Sequence, residues 1–198
     1  MSRIVVDAVR NSSASTDGIT LANDGSVTFP GNATCSGTAT GFGGGKLLQV
    51  IQTEKNDTTS TSSTSWSDIT GMSVTITPSS SSSKIFVETR FKAAAGDVVY
   101  IALTTGDGTS IIQASGSGFA EKPAISVYSG GNSSGESWYG GQMDTVCKLH
   151  SPNTTSATTY KLRWRVNSGT AYLNRNQDMG NQYNTPVAST ITVMEIGA

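Results

Sequence analysis

Few residues of this sequence have the type and spacing that catalysis requires. His150 is the only histidine, so a Ser-His-Asp triad would have to use it, and no Gly-x-Ser-x-Gly turn supplies a nucleophile. Because His150 ends an alternating run, directly before Ser151 and Pro152, we predict a surface position for it rather than a general base. Cys147 belongs to an apolar stripe of the same run and is predicted to pack in the core.

The usual ligands of metals and phosphates are also missing from the sequence. It has no Cys-x-x-Cys and no His-x-x-x-His motif, and Asp107 stands in a short Gly-Asp-Gly turn without the spaced carboxylates of a calcium loop. The spacing of the 14 acidic residues identifies no carboxylate pair of the kind that glycosidases place across a cleft. We therefore predict no catalytic residue, no cofactor and no metal, and keep a glycan-degrading enzyme as a remote alternative.

Three aromatic residues are the candidates for contact with a partner. Trp138 and Tyr139 lie between two glycine-rich stretches, and adjacent residues on a strand point to opposite faces, so one of the two can be exposed. Exposed loop aromatics commonly anchor partners and sugars. Trp66 opens a short run before Ile69 and is a third candidate. The alternative is that Trp138 fills one end of the fold.

The composition limits what class of protein can position these residues. The chain has 198 residues, a net charge of −1 and only 14% charged residues, which excludes a basic surface for nucleic acid. More than a quarter of the chain is serine or threonine, which fits either disorder or strands with a polar outer face. Because disorder usually combines low hydrophobicity with high net charge, we predict strands.

Targeting and redox features are equally sparse. No run of about 18 apolar residues predicts a membrane span, and the N-terminus lacks the apolar core of a signal peptide. Cys35 and Cys147 stand far apart in different kinds of sequence, so we predict free thiols and synthesis in a reducing cytosol.

Strict two-residue alternation indicates half-buried antiparallel strands from residue 46 onward. Turn clusters rich in serine, glycine and proline separate the runs, and no segment shows the 3.6-residue apolar period of a helix. We predict an all-β fold, an antiparallel jelly-roll sandwich over residues 46–198, because many strands with irregular turn spacing suit two packed sheets. The apolar stripes predicted to face the core are Met72, Val74 and Ile76; Ile85, Val87, Thr89, Phe91 and Ala93; Val99, Ile101 and Leu103; Met143, Thr145, Cys147 and Leu149; and Tyr160, Leu162, Trp164 and Val166.

Residues 1–45 differ from the rest and predict an extended arm that ends in a glycine-rich joint. Asp17-Gly18 and Asp24-Gly25 stand between short apolar runs, which is a hairpin signal. The arm has too few large apolar residues to form its own core, and isolated hairpins are marginal in water. Its apolar residues are therefore predicted to anchor the chain to a partner: Ile4, Val6, Val9, Ile19 and Leu21.

Several strings of residues resemble a known family. The segment at 65–85, with Trp66 and the serines at 79–83, resembles a module of structural and tail-fibre-like proteins of tailed phages, especially phages of marine bacteria. That module ends much as residues 189–196 do, and the strand at 158–161 is similar to one in its second half. The arm is similar to N-terminal segments of phage fibre proteins. The resemblance implies a virion component with a head like the trimeric jelly rolls of complement heads, tumour necrosis factor and viral fibre knobs.

The preferred interpretation is therefore a non-enzymatic surface fibre or tail-fibre-like protein of a bacteriophage virion. It would be made in the host cytoplasm and assembled on the particle exterior, with the arm bound to other virion proteins. The head would contact a glycan or protein of the host surface, without binding nucleic acid or inserting into a membrane. The alternative is a capsid or tail decoration protein with a mechanical role.

A trimer is expected because some apolar residues stand on the nominally polar faces of the strands. Contiguous exposed apolar patches of more than a few hundred Å² usually mark an interface. The residues predicted to lie near the axis of a homotrimer are Phe86, Val98, Tyr100 and Val146.

Overall fold

The computed structural model describes residues 8–9, 19–29, 46–112, 123–128, 141–177 and 186–197. The chain divides into two compact units, Met1–Gly43 and Gly44–Ala198, close to the predicted boundary between arm and head. Every regular element in the described residues is a β-strand, which confirms the all-β prediction. No described segment forms a helix that is long and apolar enough to cross a membrane.

The first unit contains a small antiparallel sheet of three strands, β1 (Ala8–Val9), β2 (Ile19–Leu21) and β3 (Val27–Thr28), in that order. The turn between β2 and β3 contains Asp24-Gly25, as the sequence predicts. Gly25 has a φ of +84°, which residues other than glycine rarely adopt. The Asp24 carboxylate accepts a hydrogen bond from the Ser26 amide at 2.9 Å. Asp17-Gly18 lies outside the described residues.

The first sheet of the second unit has four rows of strands, and two of these rows each contain a long strand and a short strand. They are built from β4 (Leu47–Lys55) and β5 (Thr59–Thr61), β13 (Ser189–Ile196) and β12 (Ala171–Leu173), β7 (Lys84–Ala95), and β10 (Gln142–His150). β7 pairs with β13 and then β12 along one side and with β10 along the other. β4 pairs with β13, and β5 pairs with β12. β4 and β5 together therefore form the next row of the sheet, beside the row of β13 and β12.

The second sheet has four antiparallel strands in the order β6-β11-β8-β9. Their bounds are β6 (Ser67–Ile76), β11 (Thr158–Val166), β8 (Val98–Thr105) and β9 (Ile125–Tyr128). The inner faces of both sheets contribute to one hydrophobic core, so the unit is a sandwich. Four of the five predicted stripes are buried as expected, including Val74, Val87, Ile101 and Leu162.

The fifth predicted stripe, on β10, is wrong. Met143 and Leu149 are 48% and 45% exposed, Thr145 and Cys147 are also exposed, and Val146 is buried in the core. Val146 stands opposite the buried Thr89 of β7, whose Oγ1 donates to the Val146 carbonyl at 3.0 Å. Because opposed residues of an antiparallel pair project to the same side, this pairing turns Val146 inward and the predicted stripe outward.

A buried carboxylate connects the last strand to the serine-rich turn between β6 and β7. Glu195 is completely buried, and its carboxylate accepts hydrogen bonds from the Ser79 amide at 2.7 Å, the Ser79 hydroxyl at 2.6 Å and the Gln49 side chain at 2.5 Å. Burial alone would raise the pKa of the Glu195 carboxyl, but the hydrogen bonds from Ser79 and Gln49 among others outweigh burial and lower its pKa to about 2.

This contact makes the stability of the head sensitive to acid. Because the folded-state pKa of Glu195 lies below its ordinary value of 4.5, its contribution is complete above pH 4.5 and is lost as the pH falls toward 2. We expect Glu195→Gln to lower the unfolding free energy at pH 7 by about 2 kcal/mol, because charge-assisted hydrogen bonds are replaced by neutral ones. Denaturant unfolding at pH 7 and pH 2.5 measures this difference, which should shrink at the lower pH. Glu54→Gln, an exposed position on β4, is the matched control.

Candidate functional site

A polar groove of about 470 Å³ lies along β6 and β11, the first two strands of the second sheet. It forms where the pairing of the two strands is irregular: Ser73 pairs with Lys161, but the next pair is Asp68 with Arg163. The extra β6 residues between these pairs form a bulge, and Gly71 within it has a φ of +85°. The lining of this polar groove includes Asp68, Thr70, Gly71, Ser73, Thr159 and Lys161.

Fixed charges border the polar groove. The Asp68 carboxylate forms an ion pair with the Lys161 Nζ at 2.8 Å and another with the Arg163 Nε at 3.2 Å. The Lys161 and Arg163 side chains are only 17% and 18% exposed, whereas the Asp68 side chain is 55% exposed. The two largely buried cations, Lys161 and Arg163, therefore pair with a single carboxylate, that of Asp68, which is more accessible to solvent than they are.

A buried lysine packs against the bulge. The Lys55 side chain is 3% exposed, and its Nζ donates to Asp57 at 2.8 Å. A Cβ on Gly71 would lie 3.4 to 3.6 Å from the Lys55 side chain, an ordinary contact, so it is the φ of +85° rather than lack of space that favours glycine here. The sequence contains a signal for the bulge, which the prediction of regular alternation missed. Ile69 and Met72 both face the core three residues apart, which breaks the two-residue period.

The predicted contact aromatics divide into two groups. Trp66 is half-buried just before β6, and its carbonyl accepts a hydrogen bond from the Arg163 guanidinium at 3.2 Å. It is thus connected to the charges of the polar groove. Trp138 and Tyr139 lie outside the described residues, so their role stays a prediction.

Four apolar side chains cross the outer face of the first sheet in one row. Val50 of β4 pairs with Met194 of β13, Met194 pairs with Phe86 of β7, and Phe86 pairs with Leu149 of β10. Val50 and Leu149 are exposed, and Phe86 and Met194 are half-buried. We call these four residues the apolar row. Leu48, also exposed, extends the apolar surface toward the start of β4.

The four residues predicted for the trimer axis do not share one surface. Phe86 belongs to the apolar row, but Val146 is only 6% exposed and packs in the core, so its assignment to an interface is wrong. Val98 and Tyr100 are half-buried on the outer face of the other sheet, where the Arg165 guanidinium lies 5.1 Å from the Tyr100 ring centre. Alternation identified outward positions on two of these strands, β7 and β8, but it does not state to which sheet a strand belongs.

The predicted anchor residues are partly described. Val9 and Leu21 are 52% and 38% exposed, and Ile19 is half-buried. Val27 and Phe29, which follow on β3 and just after it, are exposed as well. Ile4 and Val6 lie outside the described residues. The described part of the arm sheet thus presents apolar side chains to solvent.

His150 is half-buried rather than on the surface, and it connects the two sheets. Its Nδ1 lies 2.9 Å from the hydroxyl of the fully buried Tyr160, and the two rings meet edge to face at 84°. Burial, and secondarily the charge of Lys148, lowers the pKa of His150 below 6.5, and burial raises the pKa of Tyr160 to about 12. A hydrogen bond between a neutral imidazole and a buried phenol thus connects β10 to β11.

The pH dependence of stability near neutrality should therefore arise from this one histidine. Because the folded-state pKa of His150 is depressed, protonation favours the unfolded chain, and stability falls as the pH drops below 6.5. We expect His150→Phe to remove most of the decrease in melting temperature between pH 7 and pH 5, at a cost of about 1 kcal/mol at pH 7 for the lost hydrogen bond. Tyr160→Phe keeps the histidine and should retain the pH dependence. An unchanged pH dependence in His150→Phe would contradict this assignment.

The described residues contain no group of three or more histidine, cysteine or acidic side chains that could hold a metal ion. The polar groove has one carboxylate in its lining, that of Asp68. Comparison with known proteins adds no identification: no protein-family model matches the chain, and no curated protein matches it significantly.

Proposed function

We propose that this chain is a structural protein of a bacteriophage virion, a surface fibre or tail-fibre-like component that attaches through its arm and contacts the host through its head. The observation that carries the proposal is the presence of two exposed apolar surfaces, one on the described part of the arm sheet and one along the apolar row. Exposed apolar surfaces of this kind are typical of chains that assemble with partners.

Two strings that support the resemblance to phage proteins meet in the fold. Ser79, in the serine-rich turn, donates both its amide and its hydroxyl hydrogen to Glu195 in the final strand. The strings are separated by more than 100 residues in the chain, yet they form one contact. This supports our interpretation of them as parts of a single module rather than as chance low-complexity sequence.

The strand order supports the finer proposal of a jelly roll. Eight of the strands described in the head have four or more residues: β4, β6, β7, β8, β9, β10, β11 and β13. When these eight strands are renumbered 1 to 8 in chain order, the spatial order of the strands is 1-8-3-6 in the first sheet and 2-7-4-5 in the second. This interleaving is the order expected of the proposed jelly roll, which has eight strands and two Greek keys.

The apolar row is proposed to be covered by a second copy of the chain in a homotrimer. Three-fold symmetry requires a heterologous contact, in which two different surfaces of the protomer meet. The apolar row, with Phe86 at its centre, supplies one surface. Val98 and Tyr100, on β8 beside the edge strand β9, are the candidates for the other. The separation of Phe86 from these two residues is thus compatible with a trimer of this symmetry.

Phe86→Glu tests the proposed interface. We expect the purified full-length chain to be a trimer by mass measurement at micromolar concentration and the variant to dissociate, because a charge would be buried in the interface. Thr77→Glu adds the same charge at an exposed position outside the apolar row and should leave the trimer intact. A wild-type chain that stays a 20.5 kDa monomer contradicts the trimer. Trimers of Phe86→Glu would exclude Phe86 from the interface.

Cys147 provides an independent readout. It is exposed in the protomer and stands beside Leu149 on the same outer face, in the row next to the apolar row. In a Cys35→Ser background, we expect slow alkylation of Cys147 in the wild-type trimer and fast alkylation after Phe86→Glu. Equal rates in the two proteins would contradict burial of this face.

Removal of the arm tests its attachment role. We expect residues 46–198 to fold with nearly the full melting temperature and to be absent from assembled particles, because the arm carries the exposed anchor residues Val9 and Leu21. A shortened chain that fails to fold would contradict the division into arm and head.

Electron microscopy of particles separates a host-binding fibre from the alternative decoration protein by the position of the chain on the particle. Incubation with host polysaccharide, followed by measurement of chain length, tests the remote alternative of a depolymerase.

A further inference from the structure

We propose that the polar groove along β6 and β11 binds an acidic sugar residue. The inference deepens the proposed function: if the head contacts the host, the ligand is a surface glycan that carries a carboxylate or sulfate group. The location is specific, since the groove lies at the β6 edge of the second sheet, whereas β9 forms the opposite edge. A trimer contact through Val98 and Tyr100 near β9 would leave this groove open.

The shape of the groove suits a small polar ligand. Its volume of about 470 Å³ lies within the range of about 300–1,000 Å³ that small-molecule sites occupy. The β6 bulge creates this space between paired strands, and Gly71 places no side chain in it. An open groove on an outer sheet face is also accessible to one residue of a long polymer, which a closed cavity is not.

A positioned cation favours an acidic ligand. Lys161 and Arg163 pair with Asp68 at the groove, and Asp107 lies in the turn beside the lining residue Gly106, so the position of the Lys161 ammonium, and not a surplus of charge, selects the ligand. Lys161 lines the groove itself, and its side chain is largely buried, so the ammonium group is held in place. A ligand carboxylate or sulfate group would therefore meet a positioned cation.

The hydroxyl groups favour a sugar over a bare anion. Thr70, Ser73 and Thr159 line the groove, and the Thr159 hydroxyl lies 2.7 Å from that of Thr75. Hydroxyl groups both donate and accept hydrogen bonds, as the hydroxyls of a sugar do. The Asp68 carboxylate, more than half exposed, can accept from a sugar hydroxyl that neither cation would bind. Nucleic acid is a weaker candidate because the whole chain is slightly negative.

Saccharide titrations of the full-length protein test the inference. The probes are 3′-sialyllactose and trigalacturonic acid, with lactose and maltotriose as neutral counterparts and inorganic sulfate as a bare anion. We expect saturation-transfer NMR to detect at least one acidic saccharide and titration to show binding at least about tenfold tighter than that of its neutral counterpart, since a charge-assisted contact is added. Higher salt should weaken this binding.

Two variants locate the binding. Lys161→Gln should weaken it about tenfold, and Ser73→Phe, at an exposed position that lines the groove, should abolish it by filling the space. Lys148→Gln, an exposed lysine of the first sheet, is the matched control and should bind as the wild type does. Melting temperatures close to that of the wild type would show that the variants are folded.

Three results would overturn the inference. These are no binding of either acidic saccharide, unchanged binding by both groove variants, or binding of sulfate as tight as that of the saccharides. The proposed function is judged separately, by the presence of the chain on particles. A chain that is found on particles but binds no acidic saccharide refutes the groove alone. A chain that binds through the groove but is absent from particles refutes the virion role alone.

Discussion

The double pairing of β7 is the constraint on which the rest of the head depends. Residues Ile85 to Arg90 are hydrogen-bonded to β13 on one side and to β10 on the other, so their faces cannot rotate independently. Ile85, Val87 and Phe91 then enter the core, and Phe86 must point outward between Met194 and Leu149. One strand thereby determines both the interior of the sandwich and the surface proposed for assembly.

A second constraint connects the ends of the head. Glu195 lies in the last strand, and Gln49 and Ser79, which donate to its carboxylate, lie in the first strand of the head and in the serine-rich turn. A buried carboxylate is costly without partners and stabilising with several. The Ser79 hydroxyl of the serine-rich turn donates one of these bonds, which an apolar side chain could not provide. This requirement also links two of the strings on which the phage resemblance is based.

The two outer faces of the sandwich differ in chemistry. The first sheet carries the apolar row, whose side chains gain free energy when a partner removes them from water. The second sheet carries the polar groove, whose hydroxyls and ion pairs remain satisfied in water and suit a soluble ligand. Under the proposed function, assembly uses the first sheet and the β9 side of the second sheet, whereas host contact uses the β6 edge, so one need not block the other. The β6 bulge matters for this division because regular pairing would leave no groove there.

The sequence by itself determined the fold class and most of the core, because two-residue alternation is a local property that follows from strand geometry. Met72, Leu162 and Trp164 are buried as the pattern predicts. Tertiary structure decided what depends on pairing between distant strands. The more apolar face of β10, with Met143, Cys147 and Leu149, is exposed, and the pairing of Val146 with Thr89 of β7 turned Val146 inward. The assignment of Phe86 and Tyr100 to different sheets, and the contact of His150 with Tyr160, arise likewise from chain topology, which alternation within a single strand does not encode.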